Sequence, residues 1–362
     1  MNNRIYNFSA GPCTLPLEVL EEAQAELVDY KGAGMSLIEM SHRGKDFMDV
    51  YDETISLTRS IFNVPDDFSV LFLQGGATLQ FSMVPMNLLN EGKRAAYVDS
   101  GHWARSAITD AESYGDVYVA WDGKDNNYSR MPKTDEIELK DNTTYLHITS
   151  NETIGGVRFH EWPEVEVPIV SDMSSDYMSR PIRWKNFGLV YGGVQKNLGP
   201  AGLAIVFIRD TLLRDINRNQ GKYLRYDIHA EKNSMFNTPP VFPIYIVGKV
   251  LKWMSKIGGI HVIERVAEEK ARLLYFAIDE SNGYYQCPVQ KDCRSIMNVV
   301  FRLPTPALEN EFVKQASLEG LANLKGHRSV GGCRASIYNA MPRDGVETLA
   351  AFMDIFQANN PI

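Results

Sequence analysis

Short apolar runs, most of them continuous rather than alternating with polar residues, recur through the first 210 positions of the chain. Seven runs are rich in β-branched and aromatic residues: 69–73, 95–99, 117–121, 144–148, 167–172, 188–191 and 203–208. Continuous runs are typical of strands covered on both faces, and stretches of helical length separate several of them. This alternation predicts an α/β fold with a mainly parallel, seven-stranded sheet and helices on both faces.

The pattern changes near residue 244. A buried helix is predicted over 244–254, followed by a long amphipathic helix whose charged residues, Lys270 among them, should face solvent. Further predicted elements are a strand over 296–303, a helix over 308–318, strand-like segments near Leu324 and over 336–338, and a closing helix from Val346. We therefore expect a large domain over 1–256, including the N-terminal segment, and a small C-terminal α+β domain over 257–362.

Composition excludes several classes of protein. The 362 residues carry 37 Lys+Arg against 45 Asp+Glu, a net charge of -8, which argues against a general nucleic-acid binder. The first residues lack the apolar core of a signal peptide, and no apolar run is long enough to cross a bilayer. The four cysteines show no C-x-x-C spacing and the seven histidines no metal-site spacing. We expect a cytoplasmic protein with free thiols and no metal.

One lysine stands in a glycine-rich connection between the last two apolar runs. Lys196 belongs to the segment Gly192-Gly193-Val194-Gln195-Lys196-Asn197-Leu198-Gly199-Pro200. A lysine partly removed from water has a lowered pKa and can act as a neutral amine that condenses with an aldehyde, most familiarly pyridoxal phosphate. A surface lysine in a glycine-rich turn explains this motif alone equally well, so the neighbouring groups must decide.

An acid suited to that cofactor lies one strand earlier. Pyridoxal chemistry needs an acid that keeps the ring nitrogen protonated. Asp172 ends the run 167–172, and ligands of open α/β sheets bind at the carboxyl ends of the strands. A lone aspartate at a strand end is as often a turn or helix cap. Its spacing to Lys196 favours the cofactor.

Three more strand ends carry groups that a pyridoxal site needs. Gly75-Gly76-Ala77-Thr78 follows a strand and opens a helix, where backbone N–H groups and a hydroxyl can bind phosphate. Its spacing matches neither a dinucleotide nor a nucleoside-triphosphate motif. Trp103 offers an aromatic face, although a tryptophan is more often a core residue. Thr153 follows a third strand. Each signal is weak alone, and together they favour pyridoxal phosphate.

These residues belong to a longer series of ordered motifs. With them, nearly the whole chain resembles the phosphoserine aminotransferases, which are fold-type I pyridoxal-phosphate enzymes of class V. The motifs that carry the resemblance are Asn7-Phe8-Ser9-Ala10-Gly11-Pro12, Ser41-His42-Arg43-Gly44-Lys45, Gly75-Gly76-Ala77, Gly101-His102-Trp103, Ser150-Asn151-Glu152-Thr153-Ile154-Gly155-Gly156, Ser171-Asp172-Met173-Ser174-Ser175-Asp176, Gln195-Lys196-Asn197-Leu198-Gly199-Pro200 and Asn237-Thr238-Pro239-Pro240.

The resemblance implies a role for each candidate residue. Lys196 should form the Schiff base with the cofactor and move the proton, Asp172 should pair with the pyridine nitrogen, and Trp103 should stack on the ring. Further cofactor contacts are implied for Ala77, Thr78, Thr153, Gln195, Asn237 and Thr238. In the family the N-T-P-P motif reaches the cofactor phosphate of the neighbouring subunit, which implies a homodimer with shared sites. Thr78 differs from the residues of other members, which leaves its phosphate contact open.

The implied reaction is reversible transfer of the amino group of L-glutamate to 3-phosphohydroxypyruvate, giving O-phospho-L-serine and 2-oxoglutarate, a step of serine biosynthesis. Activity on 4-phosphohydroxythreonine, in pyridoxal phosphate biosynthesis, stays open. The substrate anions need cations, and arginine binds carboxylate and phosphate with two parallel hydrogen bonds. Arg334 is the expected carboxylate clamp. The expected phosphate ligands, some from the partner subunit, are His42, Arg43, His327 and Arg328.

Other interpretations remain possible from the residues. Basic residues in loops are often simply solvated. Another class V aminotransferase, acting on serine and pyruvate or alanine and glyoxylate, would lack the two His-Arg pairs. A cysteine desulfurase usually has histidine before its lysine, whereas Gln195 precedes Lys196 here. A non-catalytic binding protein of the same fold has no need of Lys196, Asp172 and Trp103 together.

Overall fold

The computed structural model describes residues 4–361. The strands are β1 (Tyr6–Asn7), β2 (Phe68–Gln74), β3 (Arg94–Asp99), β4 (Asp116–Asp122), β5 (Thr143–Thr149), β6 (Asn151–Glu152), β7 (Val157–Arg158), β8 (Ile169–Asp172), β9 (Phe187–Gly193), β10 (Leu203–Arg209), β11 (Asn298–Phe301), β12 (Leu321–Ala322) and β13 (Cys333–Ser336). The helices are α1 (Leu17–Glu26), α2 (Lys45–Phe62), α3 (Gly76–Leu88), α4 (His102–Ala111), α5 (Asp210–Arg214), α6 (Tyr226–Glu231), α7 (Val241–Lys256), α8 (Ile260–Asp279), α9 (Pro306–Leu318) and α10 (Arg343–Asn359).

All seven apolar runs form strands of one sheet, in the order β2-β10-β9-β8-β5-β3-β4. The strands β4, β3, β5, β8 and β9 are parallel neighbours, and β10 runs antiparallel to both β9 and β2. The predicted seven-stranded, mainly parallel sheet is therefore confirmed. This topology brings the carboxyl ends of β2, β3, β5, β8 and β9 to one edge, where ligands of such sheets bind.

Both faces of the sheet are covered, which explains why its strands are apolar throughout. Phe72 and Ile205 point into a core shared with α2 and α7, whereas Leu71 and Val206 point into a core shared with α3 and α4. Successive residues of one strand thus enter opposite cores. No helix within residues 4–361 has the length and apolar character needed to cross a membrane.

The C-terminal helices build a separate core. Buried side chains of α8, α9 and α10 pack there with β11 and β13. The N-terminal segment joins this core, since β1 pairs in parallel with β12 and the Phe8 side chain is fully buried among these residues. The domain boundary at residue 257 stays a prediction.

Two details of the predicted C-terminal region are wrong. Lys270 does not face solvent: its side chain is fully buried, and its ammonium donates to the carbonyls of Tyr338 (2.7 Å) and Met341 (2.9 Å). The strand-like segments are also displaced. Leu324 lies beyond the short strand β12, and β13 ends at Ser336, two residues before the Tyr338 carbonyl that accepts from Lys270.

Candidate active site

The lysine turn connects β9 to β10 and is covered by the N-terminal segment. Lys196 is only 8% exposed. Gly11 lies against its side chain, so that a Cβ placed on Gly11 would be 3.5 Å from the lysine Cγ. The Cys13 amide donates to the carbonyl of Gln195 (3.1 Å), and the Cys13 thiol donates to the carbonyl of Lys196. The fold thus holds a lysine inside the protein at the edge of the sheet.

The lysine amine lies among the groups predicted from the strand ends. Its Nζ donates to Thr153 Oγ1 (2.8 Å) and lies 5.5 Å from the centre of the Trp103 ring. Burial lowers the pKa of Lys196, while the carboxylates of Asp172 and Glu152 act in the opposite direction. This direction agrees with the lowered lysine pKa that the sequence predicts. A larger fraction of the amine is therefore neutral and nucleophilic than in a surface lysine.

Asp172 ends strand β8 and is 4% exposed. Its Oδ1 accepts hydrogen bonds from the Ser174 amide (2.9 Å) and hydroxyl (2.6 Å). Burial raises the pKa of Asp172, and the Lys196 charge together with the Ser174 hydrogen bonds opposes that rise. Its Oδ2 accepts no hydrogen bond from residues 4–361, which leaves a carboxylate oxygen for a cationic partner.

The aromatic and phosphate-binding candidates lie at the first turns of two helices. Trp103 is in the first turn of α4, with the Phe81 ring 6.5 Å away. Its Nε1 is buried without a hydrogen-bond partner in the part of the chain that the structure describes. Ala77 and Thr78 are in the first turn of α3, after Gly75 and Gly76 at positive φ. Backbone N–H groups of a first helical turn are free to bind an anion.

The C-terminal cations reach the same edge. Arg334 donates to the carbonyl of Thr153 (3.3 Å). The His327 ring lies 5.6 Å from that of His102, the neighbour of Trp103. Burial lowers the pKa of His327, and the charges of His102, Arg334 and Arg328 lower it further. A cavity of about 530 Å³, lined in part by His102, Glu152 and Arg334, opens beside these groups.

Five predicted residues show no contact with this cluster among residues 4–361. Arg43, Asn237, Thr238 and Arg328 are exposed, and His42 is half-buried. The Thr238 carbonyl accepts from the Gln74 side chain (3.1 Å), which places the N-T-P-P motif beside the carboxyl end of β2. Gln195, by contrast, lies in the lysine turn, and its buried Oε1 has no partner among the described residues.

One acid in the cluster is absent from the sequence-based assignments. Glu152 is 1% exposed and lies between Asn151 and Thr153, in a motif that the sequence singles out. A sequence signal was present: Glu152 is a carboxylate shortly after the buried strand β5, much as Asp172 is a carboxylate at the end of β8. Its partner, the first turn of α4, is distant in sequence and becomes visible only in the fold.

Comparison with known proteins decides the family. The sequence matches the class-V aminotransferase family over residues 5–349. It is 50% identical to a phosphoserine aminotransferase of Desulfotalea psychrophila over the full length of both chains. The chain belongs to the phosphoserine aminotransferases of class V. The resemblance drawn from the sequence motifs is confirmed, and the chain is an enzyme that depends on pyridoxal phosphate.

Solved structures agree with this assignment. Phosphoserine aminotransferase from Bacillus circulans subsp. alkalophilus superposes with a TM-score of 0.97 at 49% identity, covering 99% of each chain. The pyridoxal-phosphate-bound enzyme of Trichomonas vaginalis superposes with a TM-score of 0.93 at 37% identity, covering 97% of this chain and 100% of that one. The fold-type I architecture expected from the sequence is therefore confirmed.

The residues at the sheet edge fit the cofactor. Asp172 Oδ2, Trp103 Nε1 and Gln195 Oε1 are polar atoms of the cluster without partners in residues 4–361. Asp172 offers a carboxylate for a ring nitrogen, Trp103 offers an aromatic face, and the N–H groups in the first turn of α3 offer donors for a phosphate. Such a donor set matches the parts of pyridoxal phosphate.

Proposed function

We propose that the enzyme transfers the amino group of L-glutamate reversibly to 3-phosphohydroxypyruvate, giving O-phospho-L-serine and 2-oxoglutarate. The observation that carries the proposal is the convergence on one amine. Lys196 Nζ contacts Thr153, faces Asp172 and lies beneath Trp103, and Arg334 contacts the same Thr153. An amine, an acid, an aromatic face and an anion clamp are the groups that amino transfer requires.

The cofactor is assigned to seven residues of the chain. When bound, pyridoxal phosphate supplies an electron-withdrawing ring that carries the amino group between the two substrates. Asp172 would hold the ring nitrogen, Trp103 would lie on the ring face, and Thr153 would orient the ring. Lys196 would hold the aldehyde carbon. Ala77 and Thr78 would bind the cofactor phosphate, since the first turn of α3 presents free N–H groups. Gln195, in the lysine turn, would contact the cofactor on the same side.

Lys196 is the group that moves the proton. Its pKa is lowered by burial, so the amine can take a proton from the substrate α-carbon, and the adjacent carboxylates stabilise the resulting ammonium. The Thr153 hydroxyl, 2.8 Å from Nζ, holds the amine in place. Burial at the end of the turn keeps bulk water from the amine.

The substrate anions are assigned to the cations at the edge of the cavity. Arg334 would bind the α-carboxylate of both substrates with its planar guanidinium. His327 and Arg328 would bind the phosphate, and the His327 ring lies 5.6 Å from that of His102, a residue that lines the cavity. His42 and Arg43 would complete the phosphate site from the partner subunit, because neither contacts the cluster of its own chain.

The active unit would then be a homodimer with shared sites. The exposure of Arg43, Asn237 and Thr238 supports this, since a single chain leaves these predicted ligands facing outward. Co-expression of Lys196→Ala and Arg43→Ala chains tests it. Hybrid dimers would carry one intact site each, so random pairing should restore about a quarter of wild-type activity. Failure of the mixture to exceed either parent would contradict shared sites. The four free cysteines fit a reducing compartment, and we propose the cytoplasm.

An absorption experiment tests the reaction. L-glutamate should bleach the visible band of the bound cofactor, and 3-phosphohydroxypyruvate should restore it, whereas hydroxypyruvate without phosphate should restore it far more slowly. Arg328→Ala should remove that preference, and Arg272→Ala, an exposed arginine of α8, should keep it. Equal recovery with both keto acids in the wild type would contradict phosphate recognition.

A further inference from the structure

Glu152 is a buried acid that the proposed reaction uses only as a negative charge beside Lys196, and that use does not account for its hydrogen bonds. Both of its carboxylate oxygens accept backbone hydrogen bonds from one stretch of chain. Oε2 accepts from the Trp103 amide (3.2 Å), and Oε1 accepts from the Ala104 amide (2.8 Å). The residue is 1% exposed, so these amides rather than water satisfy the carboxylate.

The two amides belong to the first turn of α4. That helix begins after Gly101, which offers no side-chain cap of its own. The first N–H groups of a helix need acceptors, and a negative charge at this end is favoured by the helix dipole. Glu152 supplies both from a distant part of the sequence. It replaces the cap that the residue before a helix usually provides.

Close packing at Gly101 brings the Glu152 carboxylate against the start of α4. Gly101 has a φ of +150°, and a Cβ placed there would lie 3.0 Å from Glu152 Cδ. The glycine therefore lets the carboxylate approach the backbone of the helix start. Burial raises the pKa of Glu152 to about 7, while the two amides and the Lys196 charge lower it and Asp172 raises it.

The helix start held by Glu152 carries the aromatic face of the site. The Trp103 ring lies 5.5 Å from Lys196 Nζ, and its own Nε1 has no hydrogen-bond partner in residues 4–361. The ring position therefore depends on packing and on where its backbone is held. The residue after Glu152 is Thr153, whose hydroxyl contacts Nζ directly. Glu152 and Thr153 thus connect α4 and the lysine turn.

We propose that Glu152 is a positioning residue for amino transfer: its carboxylate fixes the first turn of α4 and so sets the Trp103 ring against Lys196. The inference rests on the proposed function for the role of Trp103. It adds a residue whose effect reaches the reaction through another side chain. A displacement of about 1 Å in such a site costs about a hundredfold in rate.

Glu152→Ala and Glu152→Gln test the proposal in the holoenzyme. We expect Glu152→Ala to lower kcat about a hundredfold while the KM of both substrates changes less than about threefold, because the anion clamps stay in place. The visible circular dichroism of the bound cofactor should weaken. Glu152→Gln keeps one acceptor oxygen and should recover part of both signals. Amide hydrogen exchange over residues 101–105 should become faster in Glu152→Ala.

Thr305→Ala is the matched control, since the Thr305 hydroxyl caps α9 through the Leu308 amide (3.2 Å). It should lower the melting temperature without changing kcat or the cofactor signal. Wild-type kcat in Glu152→Ala, or a loss no larger than that of Thr305→Ala, would overturn the proposal. So would unchanged amide exchange over 101–105, a result that does not depend on activity. If the wild-type enzyme showed no amino transfer at all, that result would overturn the proposed function instead.

Discussion

Two lysines are buried among residues 4–361, and their surroundings differ. The Lys196 ammonium donates to the Thr153 hydroxyl and lies near the carboxylates of Asp172 and Glu152, the second of which lines a cavity. Lys270 is a residue of α8; its side chain is fully buried, and its ammonium donates to the backbone carbonyls of Tyr338 and Met341. Burial lowers the pKa of both amines.

The difference shows that burial alone does not make a reactive lysine. Backbone carbonyls cannot move away, so Lys270 is held in place as a donor and joins α8 to the loop before α10. Lys196 has one hydroxyl partner, and its two neighbouring carboxylates stabilise the ammonium while burial favours the neutral amine. The same side chain therefore serves structure in one place and, as we propose, chemistry in the other.

The largest effect is expected from the reactive lysine. Lys196→Ala should lower turnover by about 10⁴-fold or more, because the amine that holds the cofactor and moves the proton is lost. The visible absorption of the lysine-linked cofactor should disappear as well. Steady-state kinetics and a spectrum of the purified variant measure both. Retention of turnover and absorption together would place the chemistry elsewhere.

Asp172→Asn tests the carboxylate that lies near Lys196 and has no counterpart at Lys270. Asparagine keeps the size of the side chain but removes the carboxylate that faces the amine and is available to a cationic ring nitrogen. We expect kcat to fall about a hundredfold or more, with the melting temperature close to that of the wild type. Stopped-flow measurement of the glutamate half-reaction would show the loss. An unchanged rate would mean that Asp172 only caps its turn.

Lys270→Met tests the structural lysine. The carbonyls of Tyr338 and Met341 would lose their donor, and the free energy of unfolding should fall by about 2 kcal/mol. Turnover per folded molecule should stay near the wild-type value. Urea unfolding of the two proteins gives the difference, and Lys314→Met, an exposed lysine of α9, should change stability by less than about 0.5 kcal/mol. If Lys270→Met lowered kcat without lowering stability, Lys270 would have a role in the reaction and would not be purely structural.

His147 is a group whose pKa is shifted by burial and not by a charged partner. Its buried Nε2 pairs with the Tyr191 hydroxyl (2.9 Å), and burial lowers the pKa of His147 to about 3. The unfolded chain takes up a proton below its ordinary pKa of about 6.5, while the folded protein does not. Stability should therefore fall as the pH drops below about 6.5, by about 1 kcal/mol at pH 5.5.

The comparison variant for this last prediction is His147→Gln, which retains a polar group but cannot be protonated. Denaturant unfolding at pH 7.5 and 5.5 should show a smaller loss of stability on acidification in the variant than in the wild type. Equal losses would mean that other groups account for the pH dependence and that His147 is not held neutral.

The sequence predicted the sheet well, and several of the candidate residues lie together at its edge, because both follow from local patterns; the roles of these residues stay predictions. Each apolar run became a strand, and strand ends that meet at one edge bring Asp172, Trp103 and Thr153 near Lys196. Lys270 was predicted wrongly because its helix pattern places it among charged residues. The loop that it contacts lies about 70 positions further along the chain.

Glu152 was not predicted from the sequence, because its partners, like those of Lys270, are distant along the chain. Its carboxylate acts on backbone amides of another element, and amides carry no signature in the sequence. The reverse holds for Arg43, Asn237 and Thr238. Their motifs were recognisable, but one chain leaves them exposed, so their proposed roles depend on a second subunit rather than on local pattern.

Borohydride reduction of the cofactor-loaded enzyme tests the central contrast most directly. Reduction makes the link between cofactor and lysine permanent, and peptide mapping by mass spectrometry then identifies the modified residue. The mass of the reduced cofactor should appear on the peptide that contains Lys196 and be absent from the peptide that contains Lys270. Modification of Lys270, or of neither lysine, would contradict the assignment of Lys196 as the reactive amine.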